Sequence, residues 1–104
     1  MNKYDIAIAA AKELKKDFYF FCSKRHHSFE YDNAKEKLFR SLAEIDVHIQ
    51  KIENNYVREL LQEIIAKFRE EIEFVRGDKE ARLIDQLIEK FSSTPILEYL
   101  HPNK

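Results

Sequence analysis

The chain has 104 residues, a formal net charge of −1, 44% hydrophobic residues and 36% charged ones. That length makes one domain, residues 1–104, able to bury about 60–65% of the surface its unfolded form exposes. One Gly and two Pro argue against the turn-rich β-sandwich or barrel, and the apolar content argues against disorder. A nearly balanced charge provides no field that would draw nucleic acid or an anionic membrane. Cys22 is the single cysteine, so no internal disulfide is expected and a reducing compartment fits. The apolar run from Ile6 to Ala11 is too short for a membrane span and is followed by Lys12, Glu13, Lys15 and Lys16. It also lacks the basic, apolar and cleavage regions of a signal peptide, and cytoplasm is the expected location.

The first helix is expected to be capped by Asn2, with Asp5 in its first turn. Tyr4, Ala7, Ala11, Leu14, Phe18 and Phe21 alternate by three and four and form its core stripe. Phe18 to Phe21 are four consecutive aromatics, and at 100° per residue Phe20 points away from that stripe. The helix should end about Cys22–Arg25. A second helix should begin between Ser28 and Asn33, where Asn33 and Glu36 resemble a reciprocal cap. Its stripe is Tyr31, Ala34, Leu38, Leu42, Ile45, Ile49 and Ile52, while Phe39, Ala43 and Val47 line a second face.

Asn54-Asn55 is the expected break, because Asn tolerates the left-handed conformation that ends many helices and the apolar phase jumps there. The third helix, Tyr56 to Arg76, is the most regular. Val57, Leu60, Leu61, Ile64, Ile65, Phe68, Ile72 and Val75 lie on one side, with Arg58, Glu59, Glu63, Lys67, Glu70 and Glu73 largely on the other. Gly77 suits the position past its end and Asp78 the cap of the next. The fourth helix carries Ala81, Leu83, Ile84, Leu87, Ile88 and Phe91, and Ser92 to Pro95 should end it. Thr94 as cap and Pro95 in the first turn predict a short fifth helix to Leu100. His101 to Lys104 reads as a frayed tail.

This pattern predicts an all-α fold: an antiparallel up-and-down four-helix bundle with a short C-terminal helix. The structural alternative is a three-helix arrangement that exchanges a long helix with another chain. Predicted core residues are Leu14, Phe18, Leu42, Ile45, Ile49, Leu61, Ile64, Phe68, Leu87 and Phe91.

Several short constellations could carry chemistry. His48 and Lys51 form H-x-x-K and resemble the core of histidine-phosphotransfer domains. In that family an exposed imidazole accepts a phosphoryl group beside a Lys one turn on. Ile52 stands where the family has a small residue, which a partner domain needs. Asp46 and Gln50 form D-x-x-x-Q, similar to the Asp/Gln pair of helical phosphatases that act on response regulators; on any solvated helix such a pair is ordinary. Cys22, His26 and Glu30 would gather three Zn²⁺ ligands if the first helix ran through them, with His101 the candidate fourth. The commoner meaning of that pattern is a buried Cys followed by a polar loop. Lys24, Arg25, His26 and His27 beside Phe18 to Phe21 mix basic and aromatic groups, as nucleic-acid surfaces do. HEPN-type ribonucleases carry an Arg and a His four to six residues apart, and Arg25 has no His downstream at that distance.

The leading expectation is a small non-enzymatic protein-interaction module of the adaptor, chaperone, inhibitor or immunity type. Phe20, Phe39, Ala43 and Val47 are its candidate partner-binding residues. The partner is another protein or a second copy in a homodimer; no metal, cofactor, nucleic acid or membrane is expected. The second reading is a phosphorelay component with His48 as phosphoacceptor, or an Asp46/Gln50 phosphatase. The third is a nucleic-acid-binding helical protein. The apolar terminal residues Ile96, Leu97, Tyr99 and Leu100 could cover the Phe39 face within one chain, which would turn that face into core.

Overall fold

Five helices account for most of the described residues: α1 Asp5–Cys22, α2 Phe29–Gln50, α3 Asn55–Ile72, α4 Asp78–Ser92 and α5 Thr94–Leu100. The computed structural model describes residues 4–24, 28–72 and 77–103, and among these there is no strand. Each long helix buries one stripe. These are Ala7, Ala11, Leu14, Phe18 and Phe21 on α1, and Ala34, Leu38, Leu42, Ile45 and Ile49 on α2. Those of α3 are Val57, Leu61, Ile64, Ile65, Phe68 and Ile72; α4 gives Ala81, Leu83, Ile84, Leu87 and Phe91. All ten predicted core residues are buried. Tyr31, at the start of the predicted α2 stripe, is half-buried and packs on the edge of the core.

The helices form a ring in which α1 packs against α2 and α4, and α3 against α2 and α4. Phe21 meets the ring of Tyr31, while Asp17 meets Lys37 and Ser41 further along, so α1 and α2 run in opposite directions. Phe18 crosses the centre to set its ring edge-on to Phe68 of α3, with centroids 5.5 Å apart. Along the α1–α4 seam the Lys15 ammonium donates to Asp85 Oδ1 at 2.6 Å. That hydrogen bond, helped by the carboxylate charge and opposed by desolvation, raises the Lys15 pKa above its usual 10.5. The bundle is elongated, 49 × 25 × 19 Å. No helix among the described residues is long and apolar enough to cross a membrane.

The helix ends depart from the sequence expectation in instructive ways. Tyr4 occupies the cap position of α1 and its side chain does not cap the helix; Asn2 lies outside the described residues. Ser28 caps α2, its hydroxyl accepting from the Tyr31 amide at 3.1 Å, so Asn33 and Glu36 lie inside the helix and form no cap. Asn54 starts a helix instead of ending one. Its Oδ1 accepts from the Val57 amide at 3.0 Å and its backbone carbonyl accepts from Arg58. α4 begins at Asp78, with Gly77 as its cap residue in an extended conformation (φ 173°) that any residue can adopt. Asp78 is therefore the first helical residue, and Gly77 has no left-handed turn to make; Val75 and Arg76 lie outside the described residues. Thr94 does not cap α5. It is buried, and its hydroxyl donates back to the Lys90 carbonyl at 2.8 Å, with Ser93 at the cap position and Pro95 in the first turn.

The C-terminal tail is fastened where fraying was expected. The His101 ring stacks on Tyr56 with centroids 3.8 Å apart, and the His101 carbonyl accepts from Asn54 Nδ2 at 2.8 Å. Asn103 bridges onward, accepting from the Asn55 amide at 2.9 Å and donating to the Glu53 carbonyl at 3.0 Å. The tail thus closes over the junction between α2 and α3.

Candidate functional site

The outer line of α2 follows from helical spacing. Lys37 and Ser41 mark the flank of α2 that faces α1, through their contacts with Asp17, and Asp46 marks the flank toward α3, through its ion pair with Arg69. At 100° per residue, Phe39 lies on the Asp46 side, Ala43 further out, and Val47 almost opposite the buried stripe. The exposures follow that order: Phe39 is half-buried against the core edge, Ala43 is exposed, and Val47 is 50% exposed. The Lys35 ammonium sits 5.9 Å from the centre of the Phe39 ring.

Phe20 does not join this line. Asp17 and Phe21 are the α1 residues that reach α2, and Phe20 points outward from α1 beside them, its ring covered by the Lys24 ammonium at 4.3 Å. The far flank of α2, where Phe39 sits, is turned away from it. Nor does α5 cover the line: it packs on α3 and α4, and Tyr4 donates to Glu98 at 3.1 Å to hold it beside the start of α1. The alternative of an intramolecular cover by Ile96, Leu97, Tyr99 and Leu100 is therefore not seen among the described residues. Thr94 and Leu97 turn inward, while Ile96, Tyr99 and Leu100 are exposed.

The phosphoryl-transfer candidates are placed as follows. His48 lies on the α1-facing flank of α2, its side chain only 18% exposed, with Nε2 3.9 Å from Glu44 Oε1. It borders a surface cavity of about 230 Å³ with Tyr4, Ile6, Ala7 and Lys51. Asp46 is held by the Arg69 guanidinium, whereas Gln50 is exposed. The proposed run of zinc ligands required one continuous helix, but α1 ends at Cys22, which is half-buried, and Glu30 is in α2. His26 lies outside the described residues.

Two buried carboxylates were not singled out from the sequence. Asp17 is buried but served, accepting from the Ser41 hydroxyl at 2.5 Å with Lys37 at 3.4 Å. Glu80 is fully buried, 0% exposed, and neither carboxylate oxygen has a hydrogen-bond partner among the described residues. Nearby in sequence, Glu71 directs Oε1 to Lys79 at 3.2 Å, while its buried Oε2 has no hydrogen-bond partner among the described residues. The signal for Glu80 was available: Glu80, Ile84, Leu87 and Phe91 are spaced by four, three and four, so the acid sits in phase with the core stripe.

A second cavity, about 410 Å³, opens where the tail meets α3, lined by Asn55, Tyr56, Leu100, His101, Pro102 and Asn103. Compared with family models, curated proteins and solved structures, the chain has no significant match.

Proposed function

We propose that this chain is a non-enzymatic protein-interaction module that binds its partner along the outer line of α2, through Val47, Ala43 and Phe39. The observation that supports this reading is the uncovered state of that line. The apolar terminal segment, α5, is engaged by α3 and α4 instead. Apolar side chains aligned on a rigid helix and left in water favour association, and a half-buried aromatic beside them supplies an anchor. Phe20 is a separate spot and has no role in this contact.

A photo-crosslinking residue placed at Val47, with a control at exposed Glu59, tests the reading in extract of the source cells. A saturable adduct at position 47, displaced by excess unlabelled wild type but not by Val47→Glu, is the expected result. Equal labelling at the two positions, or displacement by Val47→Glu as readily as by wild type, would remove this surface from consideration.

A further inference from the structure

We infer that the bundle carries a second, independent contact surface, the outer face of α5, and that its occupant is the same face of a second copy of this chain, related by a two-fold axis. Ile96, Tyr99 and Leu100 are 64%, 85% and 60% exposed. Their spacing of three and one puts them on one side of the helix. No other segment of seven described residues presents three large apolar side chains so openly.

This face is held rather than loose. At its start Thr94 bonds back to α4 and Pro95 fixes the first turn. Along its inner side Leu97 packs on the core and Glu98 accepts from Tyr4. At its end the His101 carbonyl and both amide atoms of Asn103 are tied to the α2–α3 junction. An apolar face fixed in one geometry loses little freedom on binding, which is what a contact of small area needs.

Three properties select a second copy as the occupant. The first is shape. Leu100, next to the 85%-exposed Tyr99 in α5, lines the cavity of about 410 Å³ together with Tyr56 and His101. This recess is open to solvent. Its walls include the apolar Leu100 and Pro102 and the aromatic Tyr56 and His101, which suit the face of an aromatic ring. A projection and a recess on one face are what a two-fold contact uses twice. The second is charge. Glu98 is the one charged residue of α5 and is engaged by Tyr4, so two copies meet without opposing like charges on the helix. The third is area. At roughly 200 Å² per large apolar residue, the exposed fractions of Ile96, Tyr99, Leu100 and 43%-exposed Tyr56 leave about 500 Å² per copy. Two copies together bury about 1,000 Å², the lower edge for a specific contact, so the dimer is weak and concentration-dependent.

Sedimentation equilibrium of the full chain over a wide concentration series decides the matter, with crosslinking as a second readout. The wild type should rise from 12.5 kDa toward twice that mass. Tyr99→Glu should shift the midpoint at least tenfold higher while leaving helicity and the melting temperature of dilute protein unchanged. Val47→Glu should dimerise like wild type, which separates this surface from the α2 line. A photo-crosslinker at position 99 should react with residues 55–56 or 100–103 of the second chain; this reports on the geometry even if Tyr99→Glu proves unstable. A wild type that stays monomeric throughout, or a dimer that Val47→Glu dissolves and Tyr99→Glu does not, would overturn the inference.

Discussion

Glu80→Leu is expected to make the protein more stable, although it replaces a charged residue near the start of a helix. Two effects compete. Glu80 is the third residue of α4, where a negative charge gains ~0.3–1 kcal/mol from the helix dipole. Against this, a fully buried carboxylate without a partner has lost its water and regained nothing, a cost of ~1–3 kcal/mol or more. The penalty is the larger effect, and Leu fills a similar volume in line with Ile84, Leu87 and Phe91. The net gain is about 1.4 kcal/mol, or about 6 °C in Tm for a domain of this size, from an unfolding entropy of about 0.2 kcal/mol/K. Thermal unfolding followed by circular dichroism, with urea titration beside it, gives both quantities. Glu80→Gln should fall between wild type and Leu, because the amide drops the charge but stays unsatisfied. Asp17→Leu supplies the opposite case. Asp17 is also buried, but its removal strands the Ser41 hydroxyl, so ~1–3 kcal/mol should be lost. If Glu80→Leu lowers Tm, the carboxylate has a compensating partner and the reasoning is refuted.

Other expectations concern packing, an end and a seam. Leu42→Ala and Ile64→Ala, both at buried positions, should each cost ~2–5 kcal/mol by denaturant titration; losses below ~1 kcal/mol would mean these sites are not core. Gly77→Ser should stabilise by ~0.5–1 kcal/mol in the same assay, since its backbone is extended and a Cβ would meet nothing within 4 Å. A Ser there adds the missing cap acceptor and restricts the unfolded chain. The Lys15 pKa is raised in the fold by its bond to Asp85, so the seam contributes fully below the usual lysine range and its contribution is lost as pH climbs through the raised value. An NMR titration of the Lys15 side chain should give a midpoint above 10.5, the usual value, that returns toward it in Asp85→Asn; an unchanged midpoint would remove the Asp85 bond as its cause.

The bundle itself was legible because its four stripes repeat at helical spacing and each has only one way to be buried. Leu38, Leu42, Ile45 and Ile49 are an example: no other register hides all four. The ends were harder because one residue type serves opposite purposes. Asn is common both where helices stop and where they start, and only the side-chain bond from Asn54 to Val57 shows which applies. Thr94 has the same ambiguity, with a hydroxyl able to cap forward or to bond back, and it bonds back. The tail was misjudged for a different reason. Stacking of His101 on Tyr56 and the two bonds of Asn103 join positions about fifty apart, and spacing within a helix carries no information about such pairs. For the candidate surface, the sequence located the α2 line by phase, but it could not set Phe20 on the far side of the α1–α2 seam or place α5 away from the line. Both depend on how helices are arranged about one another.

That arrangement also bears on why two apolar surfaces coexist on so small a chain. The α2 line lies on a helix that would form whatever covered it, since Leu38 to Ile49 already bury the opposite stripe. Its exposed members, Ala43 and Val47, are small, and the larger Phe39 is already half-buried. The α5 face is different. A helix of seven residues is too short to persist by its own propensity, and it buries Thr94 and part of Leu97 and little more. Its position depends on polar fastenings at both ends, with Asn54 central among them: one side-chain atom caps α3 and another holds the His101 carbonyl. Asn54→Ala would therefore cut the start of α3 and the hold on the tail together. Asn54→Asp would keep the acceptor for the Val57 amide and lose only the donor to His101. If the α5 face is the self-association surface, Asn54→Asp should weaken the dimer, and because a buried carboxylate then faces the His101 carbonyl, the isolated bundle should also lose ~1–3 kcal/mol while α3 stays capped. A dimer as strong as wild type in Asn54→Asp would show that fastening the tail is unnecessary for the contact.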